Sequence, residues 1–164
     1  MTKENIAQGT KANINGHKFE HDVEKHLEEL GFPIMLNSTY QKIEKSERPN
    51  RVVIRNVPYT TVYEENGRTE FVVVCGKRKI RIECKSQMGS GSVKEKGVYM
   101  LLNAIQQYPE KESILAFRGE PLIKSVYPWM KKQIAKRYDG TNGRIIRAFT
   151  EEELYTWLDL EFKN

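Results

Sequence analysis

Cysteine is scarce in this chain of 164 residues: Cys75 and Cys84 are the only two. That is too few for the disulfide framework of a small secreted protein, so reduced core thiols are expected. No apolar run approaches membrane-spanning length, and Met1 to Ile14 lacks the apolar core of a secretory leader. Histidine is also scarce. His17 and His21 have the i, i+4 spacing of a zinc pair, but no further Cys or His cluster supplies the remaining ligands, and helix-surface histidines are expected instead. The glycine-rich stretch Gly89-Ser90-Gly91 lacks the Gly-Lys-Ser/Thr ending of a nucleotide-binding loop. There is no internal repeat and no composition break. These absences describe a soluble cytoplasmic protein with no membrane partner: a flexible arm over 1–15, then one domain over 16–164, long enough to bury a core without staples.

What is present is weakly basic. The net charge is +5, compatible with a polyanionic partner, and it gathers at Lys77-Arg78-Lys79, at Lys94 to Lys96, and at Lys131-Lys132 with Lys136-Arg137. Any one such cluster, taken singly, is read as a solvated surface.

The most informative passage runs Glu70-Phe71-Val72-Val73-Val74-Cys75, a basic turn, then Ile80-Arg81-Ile82-Glu83-Cys84-Lys85. A loop of two residues at Lys77-Arg78, or of four over Gly76 to Lys79, sets Cys75 opposite Ile80, Val72 opposite Glu83 and Glu70 opposite Lys85. Glu70 and Glu83 are then diagonal neighbours. Alternation puts Arg81, Glu83 and Lys85 on one face and Ile80, Ile82 and Cys84 on the other. Two carboxylates and a lysine at one end of a hairpin suit a divalent metal beside a phosphate. The Glu-x-Lys triplet alone carries little, since Glu161-Phe162-Lys163 is a second example. Its place on an apolar strand behind a paired glutamate supplies the information.

Around this hairpin, Phe19, Val23, Leu27 and Leu30 make a helical stripe that stops at Gly31, with Glu20 and Glu24 on its borders. A strand is expected over 34–40. The β-rich segments 51–54 and 59–65 lead into Asn66-Gly67, a strong hairpin signal. Ser92 with Glu95 spells a capping box for a helix running to about Tyr108, whose free N-terminal amides favour an anion, with Lys94 and Lys96 adding charge. A strand over 113–117, a helix over 122–138 interrupted near Pro128, a strand over 144–149 and a helix capped by Thr150 and Glu153 complete the chain. Trp129 and Trp157 are expected in the core. The order is α-βββ-α-β-α-β-α, an α/β (α+β) domain with a central mixed sheet flanked by helices.

This order, with Glu70 and then Glu83-Cys84-Lys85 on the next strand, resembles the PD-(D/E)XK superfamily of metal-dependent phosphodiesterases. Gly16-His17-Lys18-Phe19-Glu20 resembles its first-helix signature. The segment from Gly89 to Tyr99 is similar to that of small restriction-enzyme-like and phage-encoded members. The resemblance spans roughly 16–160 and implies a restriction-endonuclease-like core in a prokaryotic or phage-encoded protein. It implies that Glu70 and Glu83 bind Mg²⁺, with Mn²⁺ able to substitute, helped by the Cys84 carbonyl. Lys85 then contacts the attacking water or scissile phosphate, Glu20 is an outer member of the metal shell, and Ser92, Lys94 and Lys96 meet substrate phosphate. Glu rather than Asp at position 70, preceded by Thr69 rather than Pro, departs from the commonest pattern.

The function expected is a Mg²⁺-dependent DNA endonuclease, a homodimer if it matches the symmetry of duplex DNA. The alternatives are a structure-selective nuclease resembling Holliday junction resolvases, a non-catalytic nucleic-acid-binding protein of the same fold, and a protein-interaction domain whose acidic pair is merely solvated.

Overall fold

A computed structural model of the chain describes residues 17–88, 92–137 and 143–163, so the expected arm over 1–15, Gly16 and the stretch Gly89-Ser90-Gly91 lie outside the described residues. Helix α1 (17–29) forms because Phe19, Val23 and Leu27 recur every four residues, and all three are fully buried. It stops where Gly31 takes φ +80°. The Gly31 N–H then reaches the Glu28 carbonyl at 2.8 Å and the Phe32 N–H reaches Leu27 at 3.1 Å, which satisfies the last carbonyls of the helix.

The chain continues as β1 (Ile34–Leu36), the short helix α2 (Asn37–Tyr40), and strands β2 (Arg51–Thr60), β3 (Asn66–Cys75) and β4 (Arg78–Ser86). Then come α3 (Val93–Gln106), β5 (Glu112–Arg118), α4 (Tyr127–Arg137) entered through a π-helical turn at Leu122–Val126, β6 (Ile145–Thr150) and α5 (Glu151–Phe162). The strand expected over 34–40 is thus split, with its second half helical. The break expected near Pro128 falls one residue before it. A widened turn there accommodates the ring, which would otherwise clash with the carbonyl four residues back.

The six strands lie in the order of the chain, and only β3 runs against the rest: β1 and β2 are parallel, β3 pairs antiparallel with both neighbours, and β4, β5 and β6 are parallel. Parallel strands added successively in one direction through right-handed crossovers put their crossover helices on one face. Accordingly α3 and α4 pack together over Leu115, Phe117, Ile146 and Ala148. The opposite face is covered by α1 and α5, whose Phe19, Val23, Leu27, Leu154 and Leu158 pack on Val73, Ile80, Ile82, Cys84 and Ile114. The mixed sheet flanked by helices is the architecture expected from the order of elements.

The β3–β4 register differs from expectation by two residues. Cys75 pairs with Arg78, Val73 with Ile80 and Phe71 with Ile82, because the turn consists of Gly76 and Lys77, and Gly76 supplies the positive φ (+62°) that a two-residue hairpin needs. Arg78 is drawn into the strand, where its guanidinium meets Glu112 at 2.7 Å and also Glu161. A two-residue shift preserves which side chains share a face. It does bring Glu70 level with Glu83 rather than Lys85.

Three further expectations are corrected. Asn66 and Gly67 lie inside β3, paired with Thr60 and Tyr59, while the turn occupies 61–65 with Glu64 at φ +61°. Gly67 serves packing instead, since a Cβ there would stand 2.7 Å from the Tyr59 ring. The Ser92 capping box does not form: Ser92 has ψ 63° and its side chain caps nothing, whereas the Thr150–Glu153 box is present. Trp129 is 38% exposed because its neighbour Met130 takes the inward position on α4; Trp157 is partly buried, as expected, beneath the Arg78 and Arg147 guanidinium groups.

Gly97 sets how closely α3 approaches the turn before α4, because a Cβ there would lie 2.3 Å from a Val126 methyl. Gly97→Ala should therefore destabilise the protein by about 1–3 kcal/mol through overpacking. With Val126→Ala in place, the same substitution should become neutral, or stabilising by up to about 1 kcal/mol from helix propensity. Urea-denaturation midpoints of the four proteins decide this.

Candidate active site

β3 and β4 part at one point, and the acidic residues lie there. Their pairing ends at Phe71 and Ile82, and on the other side of β3 the pairs Arg55–Phe71 and Val57–Thr69 bracket Asn56, which takes φ +54° opposite Glu70. Glu70 thus sits where β3 leaves β4 and where its pairing with β2 skips one position without an inserted residue. Its carboxylate replaces a backbone partner: Glu70 Oε2 accepts the Cys84 N–H at 2.8 Å.

Glu83 is buried beside it, on the same face of the sheet as Arg81 and Lys85. The Tyr108 hydroxyl lies 3.5 Å from Glu83 Oε2, and Tyr59 packs edge-on against the Tyr108 ring with centroids 4.9 Å apart. Beneath them is Arg81, only 1% exposed. It is bound by Glu110 at 2.5 and 3.2 Å, Thr69 Oγ1 at 2.7 Å and the Val57 carbonyl at 3.3 Å, and lies against both tyrosine rings. Glu110 balances most of that charge. Lys85 is the half-buried cation next to the acidic pair and has no ion-pair partner among the described residues.

The electrostatics of the pair follow from crowding. Burial first, then the Glu20 charge, pushes Glu70 up to about 7, against the pull of the Cys84 N–H and of Lys85. Burial and repulsion from Glu70 drive Glu83 well above the carboxylate range, with Lys85 and Arg81 opposing. Burial and the same three carboxylates raise the Cys84 thiol, so it stays protonated. Glu20 reaches this neighbourhood from α1, with its carboxylate 3.5 Å from His17 Nδ1. Glu24, the other border residue of that helix, is used by Arg55 at 3.0 Å.

Glu70, Glu83 and Lys85 therefore come together with Glu20 close by. Among the described residues, no three His, Cys, Asp or Glu side chains converge at metal-binding distance. A half-buried and a buried carboxylate that repel one another, with a lysine beside them, do fit a hard divalent cation, which commonly takes one or two carboxylates and keeps several waters. Ser92, Lys94 and Lys96 are exposed at the start of α3, where Lys96 Nζ donates to Gln87 Oε1 at 3.0 Å. The cluster Lys77-Arg78-Lys79 lies at the far end of β4 from Glu83, and Lys131 is paired with Glu153.

A model of the PD-(D/E)XK nuclease superfamily domain matches residues 11–161. The chain belongs to that superfamily. No curated protein and no solved structure matches it at a significant level. PD-(D/E)XK nucleases generally use divalent metals, and their substrates are nucleic acids. No described helix is long and apolar enough to cross a membrane.

Sequence reasoning found the acidic pair but missed its supports. Tyr59, Tyr108 and Glu110 are far from the hairpin in sequence and have no signature of their own. Arg81 alone had a signal, its place on the same strand face as Glu83 and Lys85.

A carboxyl whose protonated form the fold favours stabilises the protein while it keeps its proton, and loses that contribution as pH climbs through its folded titration range. The metal-free nuclease domain should therefore be more stable at pH 5 than at pH 8. The difference from Glu70 alone, raised from 4.5 to about 7, is on the order of 3 kcal/mol. Glu70→Gln should flatten the dependence in urea-denaturation midpoints measured with a chelator present.

Proposed function

We propose that this domain, over 16–164, is a Mg²⁺-dependent endodeoxyribonuclease, with Mn²⁺ able to replace Mg²⁺. The observation that carries the proposal is the repelling pair of half-buried Glu70 and buried Glu83 beside Lys85, in a chain of this superfamily. Glu70 and Glu83 would hold the metal, with Glu20 in the outer shell. The N–H and C=O of one strand residue face the same neighbour. The Cys84 carbonyl is therefore directed, like its N–H, into the gap beside Glu70, and is the third candidate donor. When bound, the ion supplies an activated water and charge stabilisation for phosphodiester hydrolysis.

The protein's own groups account for the rest. Cys84 N–H fixes the Glu70 carboxylate, leaving its second oxygen for the cation. Tyr108 and Tyr59 wall Glu83 from water, which strengthens every charge interaction at the site. Lys85 offers three N–H donors and a full charge to the scissile phosphate or to the water that attacks it. Exposed Lys94 and Lys96, with the free amides at the start of α3 and Ser92, meet a flanking phosphate. A homodimer would let two such sites address both strands of a duplex.

Lys85→Ala should lower Mg²⁺-dependent cleavage of DNA by about 10²–10³-fold or more while leaving DNA binding nearly intact. Cleavage unchanged in this variant would refute the assignment. Plain duplex, single-strand, flap and four-way junction substrates should be tried in parallel, and cleavage confined to junctions would make the protein a structure-selective nuclease. Mn²⁺ should raise the unfolding midpoint more at pH 8 than at pH 5, because protons and metal compete for Glu70 and Glu83. Glu83→Gln should abolish that gain.

A further inference from the structure

The β2–β3 loop presents Tyr63, which is 71% exposed even though one face of its ring is covered. That face stacks on Tyr99 of α3, with centroids 5.5 Å apart and planes 12° from parallel. The loop is well anchored. Thr61 Oγ1 accepts the N–H groups of Tyr63 and Glu65 at 3.3 and 3.2 Å, and the Glu64 N–H reaches the Thr61 carbonyl at 2.9 Å. The Val62 N–H is held at 2.9 Å by the side chain of Asn103, itself 1% exposed on α3. Tyr63 is thereby a ring on an anchored loop, stacked on one side and open on the other.

Its position gives the covering group a chemistry. Tyr99 lies one turn beyond Lys96 on α3, the helix that also supplies the Asn103 side chain anchoring the loop. Tyr59 stands at the end of β2 just before the Tyr63 loop and packs on Tyr108, the ring whose hydroxyl approaches Glu83. Tyrosine rings thus lead from the acidic pair to solvent on one side of the sheet. Exposed Glu64 and Glu65 follow Tyr63 in the loop and exposed Glu95 stands one turn before Tyr99 on α3, charges that disfavour phosphate, so a base, not the backbone, is the part of a nucleic acid suited to the pair.

We propose that Tyr63 and Tyr99 form a stacking platform for an unpaired nucleobase near the cut, making single-stranded or frayed nucleic acid the preferred substrate class. The inference rests on the nuclease reading above. In a continuous duplex each base face is already covered by its neighbours, and the platform has nothing to take.

Binding is to be measured separately from cleavage, on the full chain with a chelator present so that the ligand survives. Fluorescence anisotropy would compare a labelled single strand with a duplex closed by hairpins at both ends. Tyr63→Leu should weaken single-strand binding roughly 10- to 100-fold, the range for losing one stacked base. The closed duplex should be unaffected, and Tyr63→Trp should retain single-strand affinity. A 2-aminopurine base in the single strand should be quenched on binding, and Tyr63→Leu should abolish the quenching. Leucine keeps apolar contact with Tyr99, so a merely structural role predicts no loss. Unchanged single-strand affinity in Tyr63→Leu, an equal loss for both ligands, or no single-strand binding at all would overturn the proposal. None of these outcomes depends on whether Lys85 is catalytic, which the cleavage assay reads independently.

Discussion

Glu70 and Glu83 are held side by side with Glu83 buried and Glu70 half-buried, where two negative charges are unfavourable together, and much of the surrounding structure holds them there. Burial and the neighbouring carboxylates make each of them keep its proton to higher pH than an ordinary carboxyl. The fold supplies partial relief through the Cys84 N–H, Lys85 and the more distant Arg81, and leaves the remainder uncompensated. A region that stores repulsion in this way must be braced by neighbours that are themselves fully satisfied. Arg81 provides this on one side, with Glu110, Thr69 and the Val57 carbonyl all bound to a single guanidinium.

The same economy appears at the rim of the sheet. Burial opposes the ionised Glu112, yet Arg78 and Arg147 hold it below the usual carboxylate range, and Arg118 ties Asp22 of α1 to Glu151 of α5 across that face. These closed networks differ from the acidic pair in having matched charges. Their role is to lock α1 and α5 onto the strands, which in turn sets where Glu20 stands relative to Glu70. Buried pairs of this kind position elements more than they stabilise them. The proposed chemistry lies where the matching is incomplete, at the point where β3 separates from β4.

Alternation along β4 was legible because a strand has a period of two, and an apolar Ile80, Ile82, Cys84 series opposite Arg81, Glu83, Lys85 can be read without coordinates. The length of the turn was not. Gly76 and Lys77 make the hairpin, and the register moved by two. The consequence was mild only because an even shift leaves every side chain on its face. Asn66-Gly67 misled for a related reason. Five residues around Thr61 make a bonded loop tied to Asn103 of α3, and a contact about forty positions away cannot be inferred from a dipeptide. The Ser92 box failed where the Thr150 box held, although both have the same spacing, because capping needs an extended backbone at the first residue and only Thr150 has it.

By itself the sequence determined the class of fold, the face of β4 that carries polar groups, and the identities of Glu70, Glu83 and Lys85 as partners, since all three depend on patterns local to a helix turn or a strand pair. Tertiary structure alone decided the exact level of Glu70 against Glu83, the tyrosines that enclose them, the neutralisation of Arg81 and the stacking of Tyr63 on Tyr99. Each of those depends on where a distant element comes to rest, and that is set by the packing of helices on a twisted sheet rather than by any neighbour in the chain.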